Sequence, residues 1–160
     1  MTEHDSQEWA IADELLDLIP GLLQQIRANF PAEAASEQPE WRDLSELRAT
    51  AGQARLLRSL SKRQRCTMQE LADLMGVAAP TATAMVKRLL TLGFVERIRD
   101  EQDWRVVWIS PTERGLRTVA LYDQFRRTNL QRRLARLSQD ELKLLRAALP
   151  VLHHLIEVES

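Results

Sequence analysis

Between Ala79 and Arg88 the chain places two threonines, Thr81 and Thr83, after a proline at position 80 and before a basic pair, Lys87 and Arg88. If Pro80 occupies the first position of a helix, its missing N–H costs nothing there. Met85, Val86, Leu89 and Leu90 then form an apolar face, and Ala79, Thr81, Thr83, Ala84, Lys87 and Arg88 face outward. The chemistry such a face suits is nucleic-acid recognition. Free amides and partial positive charge at a helix N-terminus suit a phosphate. Threonines are small enough to approach base edges, exchanging hydrogen bonds and touching a thymine methyl. Lys87 and Arg88, a turn or two further along, can hold phosphates. Threonine is a poor helix former, which favours a contact role over mere solvation.

The elements around this face must present it. Thr67 and Glu70 form a capping-box pattern that opens a short helix with Leu71, Ala72 and Leu74 inward. A turn through Gly76 follows, plugged by Val77, and then the helix begun at Pro80, which Gly93 stops. Phe94–Arg99 and Trp104–Ser110 are rich in β-branched and aromatic residues, as strands should be, and Asp100-Glu101-Gln102-Asp103 joins them as a hairpin tip. Helix, turn, helix, hairpin is the order of a winged helix-turn-helix. Its second helix enters a DNA major groove, and its hairpin can reach the neighbouring minor groove. Gln102 and Trp104 at the tip are placed to touch the groove or its sugars, although Trp104 packing back onto a strand is an open alternative. Arg97 and Arg99 on the outgoing strand would flank the backbone. The basic loop Lys62-Arg63-Gln64-Arg65 either adds phosphate contacts or is simply solvated.

Outside this module the chain reads as helical. Residues 7–29 are apolar at helical period, with Pro20-Gly21 predicting a kink or two consecutive helices. Residues 31–39 read as a loop, and Trp41, Leu44 and Leu47 as a short helix over 40–48. Thr50 with Gln53 is a second capping box, opening a helix that buries Ala54, Leu56, Leu57 and Leu60. Thr112 can cap a long helix over 113–136, and Ser138 with Glu141 opens a last helix ending near Ile156. The first and the last two helices carry more apolar residues than two antiparallel helices can hide from water. A two-fold homodimer is the expectation. The fold class is therefore mainly α with a small β-hairpin wing, a winged helix-turn-helix with N- and C-terminal dimerisation helices. A single domain, 1–160, would comprise a DNA-binding lobe (50–112) and dimerisation helices (1–49 and 113–160).

Composition bounds the alternatives. The 160 residues are 44% hydrophobic and 28% charged, ordinary for a soluble globular chain. The net charge is −1, but residues 1–50 hold 11 acidic and 3 basic side chains, whereas residues 51–105 hold 6 and 10. The basic surplus thus lies in the segment expected to meet DNA. No apolar run approaches the roughly 20 residues that span a bilayer, and the acidic N-terminus is not a secretory signal. A single cysteine excludes an internal disulfide and fits a reducing cytoplasm. Beside Arg65, Cys66 could be a reactive thiolate in a redox-sensing regulator, but a buried or inert thiol is the better reading. His153, His154 and Glu157 fall short of the converging ligands a metal needs, and the remaining histidine is His4. No catalytic constellation or glycine-rich phosphate loop is evident, so an enzyme, a cofactor and a resident metal are not expected.

The segment Thr50–Gly115 resembles the MarR family of winged-helix regulators (multiple antibiotic resistance regulators). Thr50, Gln53, Leu57 and Leu60 match that family's L-T-x-x-Q-x-x-x-L-x-x-L. Glu70-Leu71-Ala72 with Gly76-Val77 matches E-L-A-x-x-x-G-V, and Pro80-Thr81-Ala82-Thr83 is similar to P-T-V-T. Leu89 with Leu92-Gly93-Phe94-Val95 matches L-x-x-x-G-L-V, and Asp100, Asp103, Arg105, Thr112 and Gly115 fall on the wing signature. The chain departs from the pattern at Ala78 (usually Ser), Ala84 (often basic), Trp104 (the first Arg of D-R-R) and Pro111 (Leu), which makes its recognition surface unusually apolar.

The resemblance implies a homodimeric transcriptional regulator, more often a repressor, on a pseudo-palindromic double-stranded operator, with Asp103 and Arg105 pairing to stiffen the wing. It also implies a small aromatic or anionic effector between the dimerisation helices and the lobe. Trp9, Phe30 and Trp41 could line its pocket, although core packing explains them as well. Two alternatives stay open. One is a protein-interaction module presenting Ala78, Ala79, Ala82 and Ala84; the other is DNA compaction without sequence preference.

Overall fold

The structure, a computed structural model, describes residues 3–28, 39–48 and 51–157. Its elements run α1 (Glu3–Arg27), α2 (Pro39–Arg48), α3 (Ala51–Arg63), α4 (Met68–Met75), α5 (Ala79–Thr91), β1 (Val95–Arg99), β2 (Val107–Pro111), α6 (Glu113–Leu134) and α7 (Gln139–Glu157). Of the loop expected over 31–39, residues 31–38 lie outside the described residues, as do Phe30 and the Thr50 capping residue, while Pro39 is the first residue of α2. The chain clusters into two compact units, residues 30–124 and residues 1–29 with 125–160.

The 30–124 unit is built around a continuous apolar core. Leu44 and Leu47 of α2, Leu56, Leu57 and Leu60 of α3, Leu71 of α4, Leu89 of α5 and Phe94 are all fully buried. α4 points Met75 inward and leaves Leu74 half-exposed, because Met75 lies one turn on from Leu71 and Ala72. The capping box that begins α4 is present, with Thr67 Oγ1 accepting from Glu70 N and Glu70 accepting in return from Thr67 N. Gly76 ends the helix at φ 64°, the left-handed conformation glycine tolerates best. Lys62 and Arg63 form the last turn of α3 rather than a loop, and the chain breaks one residue later at Gln64.

β1 and β2 pair antiparallel in the register Val95↔Pro111, Arg97↔Ile109, Arg99↔Val107. Cys66 joins the edge of β2 through two backbone bonds with Ile109, of 3.0 and 2.8 Å, tying the wing to the segment before α4. α6 begins where Thr112 caps it, accepting from Gly115 N at 3.1 Å and donating to Gly93 O at 2.7 Å. Gly115 is there because the helix lies directly on the chain at Phe94. A Cβ at this position would sit 2.0 Å from Phe94 O.

In the other unit α1 runs as one helix through Pro20, not as two. Asn129 is buried and donates to the Ile26 and Ala28 carbonyls at 3.1 and 3.0 Å, closing the C-terminal end of α1. Arg133 donates to Gln25 at 2.7 Å. Ser138 and Glu141 form the capping box that starts α7. α7 buries no residue, and Leu144, Val151, Leu155 and Ile156 stand in solvent. Trp9 is also exposed, so core packing does not account for it.

Candidate nucleic-acid interface

α5 buries Ala82, Val86 and Leu89, and exposes Ala79, Pro80, Thr81, Thr83, Ala84, Lys87 and Arg88. All seven predicted helix residues therefore share the outward side. Met85 and Leu90 are only half-buried, whereas Ala82 is fully buried and cannot belong to an outward apolar patch. The helix starts one residue earlier than expected. Ala79 is its first residue, which makes Pro80 the second, and Ala78 sits at the N-cap without a side-chain bond. Pro80 has no N–H, while Thr81 and Ala82 give theirs to Ala78 O at 2.9 and 3.1 Å. Only the Ala79 amide remains in this turn for a phosphate, fewer donors than the sequence implies. Thr83 Oγ1 donates to Ala79 O at 2.8 Å.

The wing is organised by Asp100 more than by the Asp103–Arg105 pair. Asp100 Oδ1 accepts from the backbone N–H groups of Gln102 and Asp103 at 2.9 and 3.0 Å, and its Oδ2 accepts from Trp108 Nε1 at 2.8 Å. These bonds, the Trp108 indole first, hold the Asp100 carboxyl below the usual carboxylate range. The guanidinium of Arg65 lies over the Trp108 ring, 4.6 Å from its centroid. Arg65 is thus stacked on the wing. Asp103 Oδ1 accepts from Arg105 N at 3.0 Å, but the charged groups of the pair are 3.9 Å apart and largely solvated. β2 begins only at Val107, because Trp104 and Arg105 form a turn closed by Val106 N on Asp103 O. Trp104 is 72% exposed and does not pack back onto a strand. Gln102, Asp103, Arg105, Arg97 and Arg99 are exposed as well.

At its other end α5 is tied to α6. Arg114 donates from one guanidinium nitrogen to Leu92 O, the C-cap of α5, at 2.6 Å, and binds Asp43 of α2 through two others. Asp43 in turn raises the Arg114 pKa. Arg114 and Asp43 border a cleft of about 640 Å³ whose lining also includes Pro39, Arg117, Leu121 and Gln124. Two contacts escaped the sequence reading: the Asp100–Trp108–Arg65 stack and the Asp43–Arg114–Leu92 link. Trp108 facing Asp100 across a short hairpin is a readable signal for the first. The second joins residues 71 apart and leaves no local pattern.

Cys66 is buried, and burial pushes its thiol pKa up, away from a reactive thiolate. His153 and His154 are exposed on α7, and no group of three or more His, Cys, Asp or Glu converges among the described residues. No helix among them is long and apolar enough to cross a membrane.

The architecture and the sequence can both be set against known proteins. The MarR family model matches residues 49–107, from the segment before α3 to the first residue of β2. The structure of a MarR family protein from Bacillus stearothermophilus is similar over 99% of each chain, with 26% identity and a TM-score of 0.71. The chain is thus similar to the MarR family in its winged helix-turn-helix segment and shares the fold of MarR family proteins. Other MarR-like folds extend the likeness. RV1404 from Mycobacterium tuberculosis is 24% identical over 100% of this chain and 98% of its own, at a TM-score of 0.74. Streptococcus pneumoniae FabT, solved in complex with DNA, is 18% identical over 94% and 97%, at 0.65. No curated protein relative matches the chain. The chain thus has a winged helix-turn-helix fold in which α4 and α5 are the two helices of the helix-turn-helix and the β1–β2 hairpin is the wing.

Proposed function

We propose that this protein is a MarR-type regulator: a cytoplasmic, sequence-specific transcriptional regulator that binds a pseudo-palindromic double-stranded DNA operator as a homodimer, repressing until a small aromatic or anionic ligand releases it. It binds and does not catalyse. The observation that carries the reading is the exposed side of α5. Its small residues precede Lys87 and Arg88 on a helix braced by α4, with the exposed tip Gln102–Arg105 on the adjoining hairpin. That arrangement fits a helix in the major groove, phosphate contacts from the basic pair, and a wing over the minor groove. The DNA complex of FabT, a protein of the same fold, supports it.

The homodimer is supported by the bare apolar sides of α1 and α7. Trp9, Leu16, Leu18, Leu144, Val151 and Ile156 are each more than 60% exposed in the single chain. Each would gain about 1.5–3 kcal/mol on full burial. Ligand control is supported by the cleft beside Arg114 and Arg117, whose neighbour Leu92 ends the recognition segment.

Purified protein should be titrated against DNA from upstream of its own gene and against scrambled duplex, at two salt concentrations. A specific regulator binds the former at least about a thousand-fold more tightly, and salt weakens it steeply as counterions are released. Salt-insensitive association would point instead to a protein-interaction module, the reading that the apolar recognition surface favours. Equal binding to any duplex would indicate compaction.

A further inference from the structure

The N-terminal half of α5 is poor in side-chain hydrogen-bond donors. From Ala79 to Ala84 its exposed side chains are two alanines, a proline and two threonines. The hydroxyl proton of Thr83 is engaged by Ala79 O at 2.8 Å, which leaves this residue a methyl group and an oxygen with no proton to give. The Thr81 hydroxyl makes no hydrogen bond among the described residues and is the one free side-chain donor of this stretch. The first N–H-bearing side chain is Lys87, about 10 Å further along the axis from Pro80 at 1.5 Å per residue.

In the major groove guanine offers two acceptors and calls for a paired donor such as arginine, and adenine calls for an amide. Thymine offers a methyl group, which takes an apolar contact. We propose that this face reads thymine methyl groups: each operator half-site presents thymines to Ala79, Pro80, Thr83 and Ala84, while Lys87 and Arg88 hold the phosphates. The inference rests on the DNA-binding reading above and adds the base chemistry that reading leaves open.

The test begins with duplexes selected by the full-length protein from a random pool. Each thymine in the winning half-site is then replaced by uracil, which deletes the methyl and keeps every hydrogen-bonding group. At least two positions should each lose about fourfold or more in affinity, the equivalent of one buried methylene. Thr83→Val, which keeps a methyl and drops the hydroxyl, should bind within about twofold of the parent, whereas Thr83→Ser should lose about fourfold.

Uracil substitution that is neutral at every position overturns the proposal, as does loss of binding in a folded Thr83→Val protein. A half-site whose affinity falls with 7-deazaguanine but not with uracil overturns it too. If no duplex is retained from the pool, the DNA-binding reading itself fails and takes this inference with it.

Discussion

The two compact units of this chain satisfy their apolar residues in opposite ways. In the 30–124 unit every element packs a face inward, and Leu44, Leu47, Leu56, Leu57, Leu60, Leu71, Leu89 and Phe94 are closed off completely. In the other unit α7 buries nothing, and in α1 the large apolar residue that is buried is Ile26, beside the Asn129 cap. The first unit is a finished core able to hold a reading surface. The second is an unfinished one, which we take to be completed by a second copy. Reading and pairing are thus divided between the units, and each should respond to substitution differently.

The largest effects belong in the finished core. Leu57→Ala should cost about 2–5 kcal/mol, read as a lowered melting temperature that does not depend on protein concentration. Gly115→Ala should cost about 3 kcal/mol, since the new Cβ would stand 2.0 Å from the Phe94 carbonyl and backbone must move. In the unfinished unit Leu155→Glu should leave monomer secondary structure intact. Its dimer dissociation constant, by sedimentation, should rise at least about 30-fold, one leucine's burial. A dimer constant unchanged by Leu155→Glu would show that the exposed side of α7 does not pair two copies.

Smaller effects refine the reading surface. Lys87→Ala should flatten the log–log dependence of DNA affinity on salt by about 0.9 per lost phosphate contact. An unaltered slope would remove Lys87 from the interface. Asp100→Asn should loosen the wing and weaken DNA binding several-fold, with little change in melting. Because the folded Asp100 carboxyl is held below the ordinary range, the stabilisation it gives is complete above that range and lost only as pH falls through the lowered value. Wing order, followed by tryptophan emission, should therefore be flat from about pH 5 to 8.

How far the sequence anticipates these features depends on how local they are. The Thr67–Glu70 and Ser138–Glu141 boxes, the Gly76 turn and the outward set on α5 rest on contacts within four residues, and the structure has them as the pattern implies. Boundaries were less readable. Ala78 lacks a capping side chain to mark the start of α5, and Trp104 belongs to a turn although its type suits a strand. Ala82 looked like one of several surface alanines, yet tertiary packing makes it core. Contacts across long separations, such as Arg114 with Asp43, carry no periodic signal at all.

The division of labour is tested most directly by comparing the full selected pseudo-palindrome with a duplex carrying one half-site. The account predicts two chains on the full site and an affinity at least about a hundred-fold above that for the half-site, because pairing makes the second contact intramolecular. One chain per duplex, with equal affinity for both, would contradict it.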